Sequence, residues 1–159
     1  MTSITDFLED SVKKYPEKIA LVTLEREYTY NELHELVCRF SSSLTQYPKN
    51  SIISLLFENS VEFIISYLGT LLAGCIAHLV PPSISDSNFI DQIKSAQPKI
   101  IITSTEFLKK IERIDSILDK NLDAIKQKRD DLLRIQKEPF WEEITFEDVD
   151  FLVREISPL

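Results

Sequence analysis

Residues 58–83, ENSVEFIISYLGTLLAGCIAHLVPPS, are the least polar part of the chain and hold both of its glycines, Gly69 and Gly74. Between Ser60 and Val80 the one formal charge is Glu62. About 20 helical residues cross the ~30 Å apolar layer of a bilayer, so such a stretch folds either as a membrane span or as the interior of an α/β domain. Periodicity and punctuation favour the interior. Val61, Ile64, Ile65, Leu68 and Leu72 follow the stripe of a helix with one buried face, and Asn59 with Glu62 supplies a box-like start. Gly74 suits the position after a helix end, because glycine takes the left-handed conformation without a Cβ clash. Beyond it, CIAHLV runs into Pro81-Pro82 and reads as a buried strand. Gly69 and Ala73 form a ridge of small residues that is expected to let the helix sit close to a sheet. No Lys or Arg lies between Asn50 and Ile93, so the cationic flanks that anchor a membrane span are missing.

The flanking sequence continues the α/β pattern. A helix is expected from Asp6 to about Tyr15, with Thr5 as N-cap, Phe7, Leu8 and Val12 on one face, and Pro16 as its stop. KIALVTLEREYTY reads as two short strands around Glu25–Arg26. Thr29 and Glu32 have the spacing of a capping box and open a helix carrying Leu33, Leu36, Val37, Phe40 and Leu44. SIISLLF, at 51–57, is the unbroken apolar run of a strand covered on both faces. After the double proline, SDSNFIDQIKSAQ sets Phe89, Ile90 and Ile93 on one helical face, Pro98 ends the helix, and KIIITS is a strand. Residues 51–103 thus alternate strand–helix–strand–helix–strand. That order predicts an α/β fold with a parallel or mixed sheet, right-handed crossovers and flanking helices.

From Glu106 to Lys137 a charged helical pattern carries Ile111, Leu118, Ile125 and Leu132 at intervals of seven. Strand-like pieces follow near Ile144–Phe146 and Phe151–Ile156. The expected division is an α/β subdomain over 1–104, with 105–159 a charged helical segment and short strands completing or covering the same domain.

Composition bounds the chemistry. A formal charge of −8 argues against a nucleic-acid surface, which needs clustered cations to displace counterions; Lys126, Lys128 and Arg129 sit among acids as a solvated face. The N-terminus lacks the basic start, apolar block and cleavage site of a secretory signal, which places the protein in the cytoplasm. Cys38 and Cys75 lack metal-ligand spacing and read as two buried thiols, with a disulfide left open. Average usage near 7% would give about 11 glycines, against the two present, so no glycine-rich loop can cradle a phosphate. Glu142–Glu143 and Glu147–Asp148–Asp150 lack the spacing and glycine of a calcium loop and read as solvated surface. His34 reads as a surface residue and His78 as a core or pocket-edge histidine rather than a metal ligand. The serines of FSSSL lie on a helix without the glycines of a nucleophile elbow. No catalytic, cofactor-binding or metal-ligating residue is assigned.

YPEKIALV, YTYNEL, LFENSVEFIISYLGTLLAGCIAHLVPPS and QPKIIITS together resemble, in order and spacing, the start of the adenylate-forming (AMP-binding) enzymes. That superfamily includes acyl-CoA synthetases, aryl-CoA ligases, luciferases and peptide-synthetase adenylation domains. Asn59, Gly69, Gly74 and Pro82 fall where the family pattern has Asn, Gly, Gly and Pro, and VREISPL resembles the segment ahead of the family's phosphate loop. The resemblance implies the N-terminal part of an ATP-dependent, AMP-forming carboxylic acid-activating enzyme, of the acid–CoA ligase type found in fatty acid metabolism. Mg-ATP and coenzyme A are implied for the parent enzyme, and no cofactor for this chain. The family's catalytic loop, glutamate, ribose-binding aspartate and mobile-domain lysine would all follow Leu159, so the chain is expected to be inactive alone.

The implied partner is the remainder of the parent, with no nucleic acid and no membrane span. Self-association is also expected, through an open sheet edge or the 106–137 helix, that edge being covered by the charged helix or by a second copy. The alternative is a stand-alone binding or regulatory module whose partner surface runs from Ile111 to Leu132.

Overall fold

The computed structural model describes residues 3–107, 109–111 and 113, together with the backbone of 141–146 and 149–155. Helix α1 spans Ile4–Lys14. Its N-cap is Ser3 rather than Thr5, because Ser3 and Asp6 close a full box: Ser3 N–H donates to the Asp6 carboxylate at 2.7 Å, and Asp6 N–H donates to Ser3 Oγ at 3.2 Å. Strands β1 (Ile19–Val22) and β2 (Glu27–Thr29) pair antiparallel. Thr23 Oγ1 holds their turn by accepting from the N–H groups of Glu25 and Arg26. Helix α2 (Tyr30–Ser43) starts at the expected Thr29–Glu32 box, whose backbone N–H at Thr29 holds the Glu32 carboxyl below its ordinary pKa.

Strand β3 (Ile52–Leu56), helix α3 (Val61–Leu72), strand β4 (Ile76–Val80), helix α4 (Asp86–Ala96) and strand β5 (Ile100–Thr103) follow in the expected alternation. Ser60, not Asn59, caps α3: its extended backbone lets Oγ accept from Phe63 N–H at 3.2 Å, which leaves Glu62 one position short of a box. Gly74 ends α3 with φ +75°, as a left-handed C′ residue should. Two further strands, β6 (Trp141–Phe146) and β7 (Val149–Glu155), complete a five-stranded sheet in the order β4-β3-β5-β7-β6. β3 pairs parallel with both β4 and β5, whereas β7 pairs antiparallel with β5 and β6, so the sheet is mixed.

Alternation along the strands gives the sheet two apolar faces. Ile53, Leu55, Ile100 and Ile102 pack with α1, α2 and α3 through Leu8, Val37, Phe40 and Ile65. Leu56, Val80 and Ile101 pack on the other face with Phe89 of α4 and with Ile111.

Two further expectations are corrected. β4 is not buried on both faces: Ile76 and Leu79 are 47% and 48% exposed, since β4 has a strand neighbour on one side alone among the described residues. The small residue at position 69 serves a helix–helix contact, because the nearest atoms to its missing Cβ belong to Phe40 and Val37 of α2 rather than to a strand. β5 pairs with β7 on the side away from β3, in register from Ile100↔Glu155 to Thr103↔Leu152. Most of the 106–137 segment, including Leu118, Ile125 and Leu132, lies outside the described residues, as do Lys126, Lys128 and Arg129. No helix among the described residues is long and apolar enough to cross a membrane.

Candidate functional site

In open α/β sheets ligands sit beyond the carboxyl ends of parallel strands, where neighbouring connections leave toward opposite faces. β3 meets that condition. Its connection leads to α3 on one face, while those of β4 and β5 lead to α4 and to Phe107 and Ile111 on the other. The carboxyl end of β3, around residues 57–60, is therefore the candidate ligand position of this fold.

Its chemistry is that of a closed seam. Thr103 Oγ1 donates to the Leu56 carbonyl at 2.6 Å, tying β5 to β3 at their carboxyl ends. Lys110 Nζ donates to the carbonyls of Pro82 and Ile84 at 2.7 and 2.5 Å, joining the exits of β5 and β4. Arg113 forks onto Asp86, Nε to Oδ2 and Nη2 to Oδ1 at 2.8 Å each, and this guanidinium holds the Asp86 carboxyl below its ordinary pKa.

Helix N-termini can bind phosphate, and α3 and α4 both start at this end of the sheet. Each is already capped by its own serine, Ser60 or Ser85, and each has an acid in its first turn, Glu62 or Asp86. Those carboxylates occupy the favourable end of the helix dipole and repel a second anion. Neither glycine helps, since Gly69 is packed against Phe40 and Gly74 faces the Lys49 side chain. Among the described residues no three His, Cys, Asp or Glu side chains converge as a metal site. The side chains of Glu142, Glu143 and Asp150, and residues Glu147 and Asp148 entirely, lie outside the described residues.

One polar pair escaped the sequence reading. Ser54 and His78 face each other in register across β3 and β4, with Ser54 Oγ 2.8 Å from His78 Nδ1. Their matching places in SIISLLF and CIAHLV are a signal, but parallel register is invisible until the strands are paired. Ser54 is fully buried, and among the described residues no carboxylate is bonded to His78. A serine that substrate cannot reach and an imidazole without an acid make a structural bond rather than a nucleophile. Burial pushes the His78 pKa below its ordinary value and keeps the ring neutral.

His34 is half-buried, with Nε2 3.6 Å from Cys38 Sγ. Cys38 is half-buried and Cys75 buried, neither is in a disulfide, and burial raises both thiol pKa values away from reactive thiolate.

These features define a mixed α/β scaffold whose parallel strands change crossover direction at β3. Residues 8–154 match the model of the AMP-binding enzymes, and the chain belongs to that family. Among curated relatives, 4-coumarate–CoA ligase 3 of Arabidopsis thaliana is 30% identical over 91 residues, covering 56% of this chain and 16% of the relative. The fold is also that of the N-terminal subdomain of Klebsiella oxytoca NpsA, with TM-score 0.62 and 20% identity over 66% of this chain and 28% of that one. The anthranilate CoA ligase AuaEII, solved with anthranoyl-AMP, matches with TM-score 0.67 and 24% identity over 70% of this chain and 22% of that one. The chain thus spans less than a third of each of these proteins.

Proposed function

We propose that the chain is the N-terminal scaffold of an enzyme that activates a carboxylic acid with ATP and passes the acyl group to coenzyme A, and that it is catalytically silent alone. The AMP-binding match over 8–154 carries the first part. In such a reaction the acid's carboxylate attacks the α-phosphorus of ATP and pyrophosphate leaves; a thiol then attacks the acyl carbon and AMP leaves. On this reading the described residues are the sheet on which that machinery is mounted, and the serine-capped, acidic starts of α3 and α4 support a scaffold that does not bind a nucleotide itself.

Coenzyme A as acceptor is supported by the names of two relatives, a 4-coumarate–CoA ligase and an anthranilate CoA ligase. Both names point to an aromatic acid, so aryl acids are the first to test, with fatty acids beside them. The native gene product is incubated with ATP, the acid and coenzyme A, and thioesters are read by mass spectrometry. An acyl-CoA supports the proposal. Acyl-adenylate that transfers to a carrier-protein thiol and not to coenzyme A would replace it with a peptide-synthetase-like function.

A further inference from the structure

The chelating neighbour of Cys38 is not Cys75 but His34. The two residues stand four positions apart on α2, about one helical turn, so their side chains leave the same face. Cys38 Sγ lies 3.6 Å from His34 Nε2 and 3.9 Å from Nδ1. A tetrahedral ion with Zn–S of about 2.3 Å and Zn–N of about 2.0–2.1 Å holds its sulfur and nitrogen about 3.6 Å apart. The pair therefore already has the ligand-to-ligand span of such an ion, and a turn of the imidazole about its Cβ–Cγ bond brings a nitrogen lone pair onto it. The neutral pair shares only the weak hydrogen bond of which a thiol is capable, so little is lost when a metal replaces the proton. The surroundings favour a cation. His34 and Cys38 are half-buried rather than sealed from solvent. Glu9 of α1 and Glu35 place negative charge around the sulfur. Their carboxylates are engaged elsewhere, Glu9 with Lys13 at 3.7 Å and Glu35 with Asn31 at 3.4 Å, so they supply field rather than ligands.

We infer that His34 and Cys38 form a two-residue chelate for a borderline-soft divalent cation of the Zn²⁺ class. The described residues offer two ligands and not three, so water completes the coordination. On binding, the thiol gives its proton to solvent, the sulfur bonds the metal as a thiolate, and the ion loses a water for each ligand gained. Because both ligands ride on one helix, the folded chain holds them at chelating distance and the unfolded chain does not, so the ion stabilises α2. The pair lies outside the candidate ligand position at residues 57–60, and the acid-activating reading does not depend on it.

Metal titration of the 159-residue chain, stripped with a chelator and kept reduced, tests this. Co²⁺ should give the near-ultraviolet charge-transfer band of a thiolate ligand, saturating at one ion per chain. Zn²⁺ should displace the Co²⁺ and raise the urea midpoint. Cys38→Ser should abolish the band, and Cys75→Ala should keep it. His34→Gln should weaken Zn²⁺ binding by about 10-fold or more, since a direct ligand is worth at least as much as an outer-shell partner. Far-ultraviolet circular dichroism checks that each variant is folded. A measurement on the wild-type chain needs no variant: Zn²⁺ should slow alkylation of Cys38, mapped by mass spectrometry. No charge-transfer band, or an alkylation rate that Zn²⁺ leaves unchanged, overturns the chelate. So does a band that survives Cys38→Ser. Affinity unchanged in His34→Gln marks a thiol adduct only and overturns it as well. Each of these failures leaves the acid-activating reading standing, which is judged by thioester formation.

Discussion

A Cβ added at Gly69 would stand 2.6 Å from Phe40 Cδ1 and 3.1 Å from the Val37 carbonyl oxygen. Phe40 and Val37 are fully buried, and a backbone oxygen cannot swing aside. Helix propensity alone would favour alanine by about 1 kcal/mol, but overpacking a core costs about 1–3 kcal/mol, so packing decides the sign. Gly69→Ala should therefore lower the urea midpoint of the chain, by an amount equivalent to about 1 kcal/mol net. An unchanged or higher midpoint would mean that α2 and α3 do not meet at this position. The sequence showed that a small residue was needed at 69 and could not show its neighbour, because the crossing of two helices depends on residues about 30 positions apart.

His78 gives a second test at this scale. Its folded pKa lies below the ordinary 6.5, so the unfolded chain takes up a proton that the folded chain refuses. The contribution is fully present above pH 6.5 and is lost as pH falls toward the lowered folded value. Asp6, Glu32 and Asp86, whose pKa values are also held down, lose theirs in a lower window, beneath the ordinary carboxylate values of 3.8 to 4.5. Thermal unfolding between pH 7.5 and pH 5.5 should then show a drop that His78→Asn, which keeps a polar atom near Ser54 Oγ, makes smaller. Equal slopes in the two proteins would contradict burial of a neutral ring.

At the scale of elements, the existence of α1 to α4 was legible, and helix starts were legible only where one candidate stood alone. Thr29 with Glu32 had no competitor, and the box formed there. Ser3 and Thr5, and again Asn59 and Ser60, are adjacent or near-adjacent cap formers, and the chosen residue is the one whose backbone is extended where the preceding segment delivers it. Ser60→Ala should cost about 1 kcal/mol and Asn59→Ala less than about 0.5 kcal/mol, read by chemical unfolding of the two variants. The reverse order would return the cap to Asn59. Strand burial failed for a related reason. CIAHLV is as apolar as KIIITS, yet β5 is buried throughout and β4 is half exposed. A strand's own residues record that both its faces are meant to be covered, and not whether the covering layer belongs to the same segment of chain.

At the scale of the molecule, the alternation over 51–103 was enough to foresee a parallel core, but the order β4-β3-β5 and the antiparallel return of β7 are non-local pairings without a local signature. Of the candidate site, the sequence shows the scarcity of glycine. Two glycines in 159 residues cannot build a phosphate cradle, and the structure gives both other work, one at a helix crossing and one at a helix end. What the sequence hid was how the strand ends are tied together, since the Thr103–Leu56 and Lys110–Pro82 bonds join residues 47 and 28 positions apart.

The central claim, a scaffold of the AMP-binding family that lacks the nucleotide machinery, is tested most directly by acid-dependent exchange of labelled pyrophosphate into ATP. With a panel of aryl and fatty acids, the 159-residue chain should show no exchange above a no-enzyme control, and the native gene product should show exchange with at least one acid. Acid-dependent exchange by the 159-residue chain alone would contradict it.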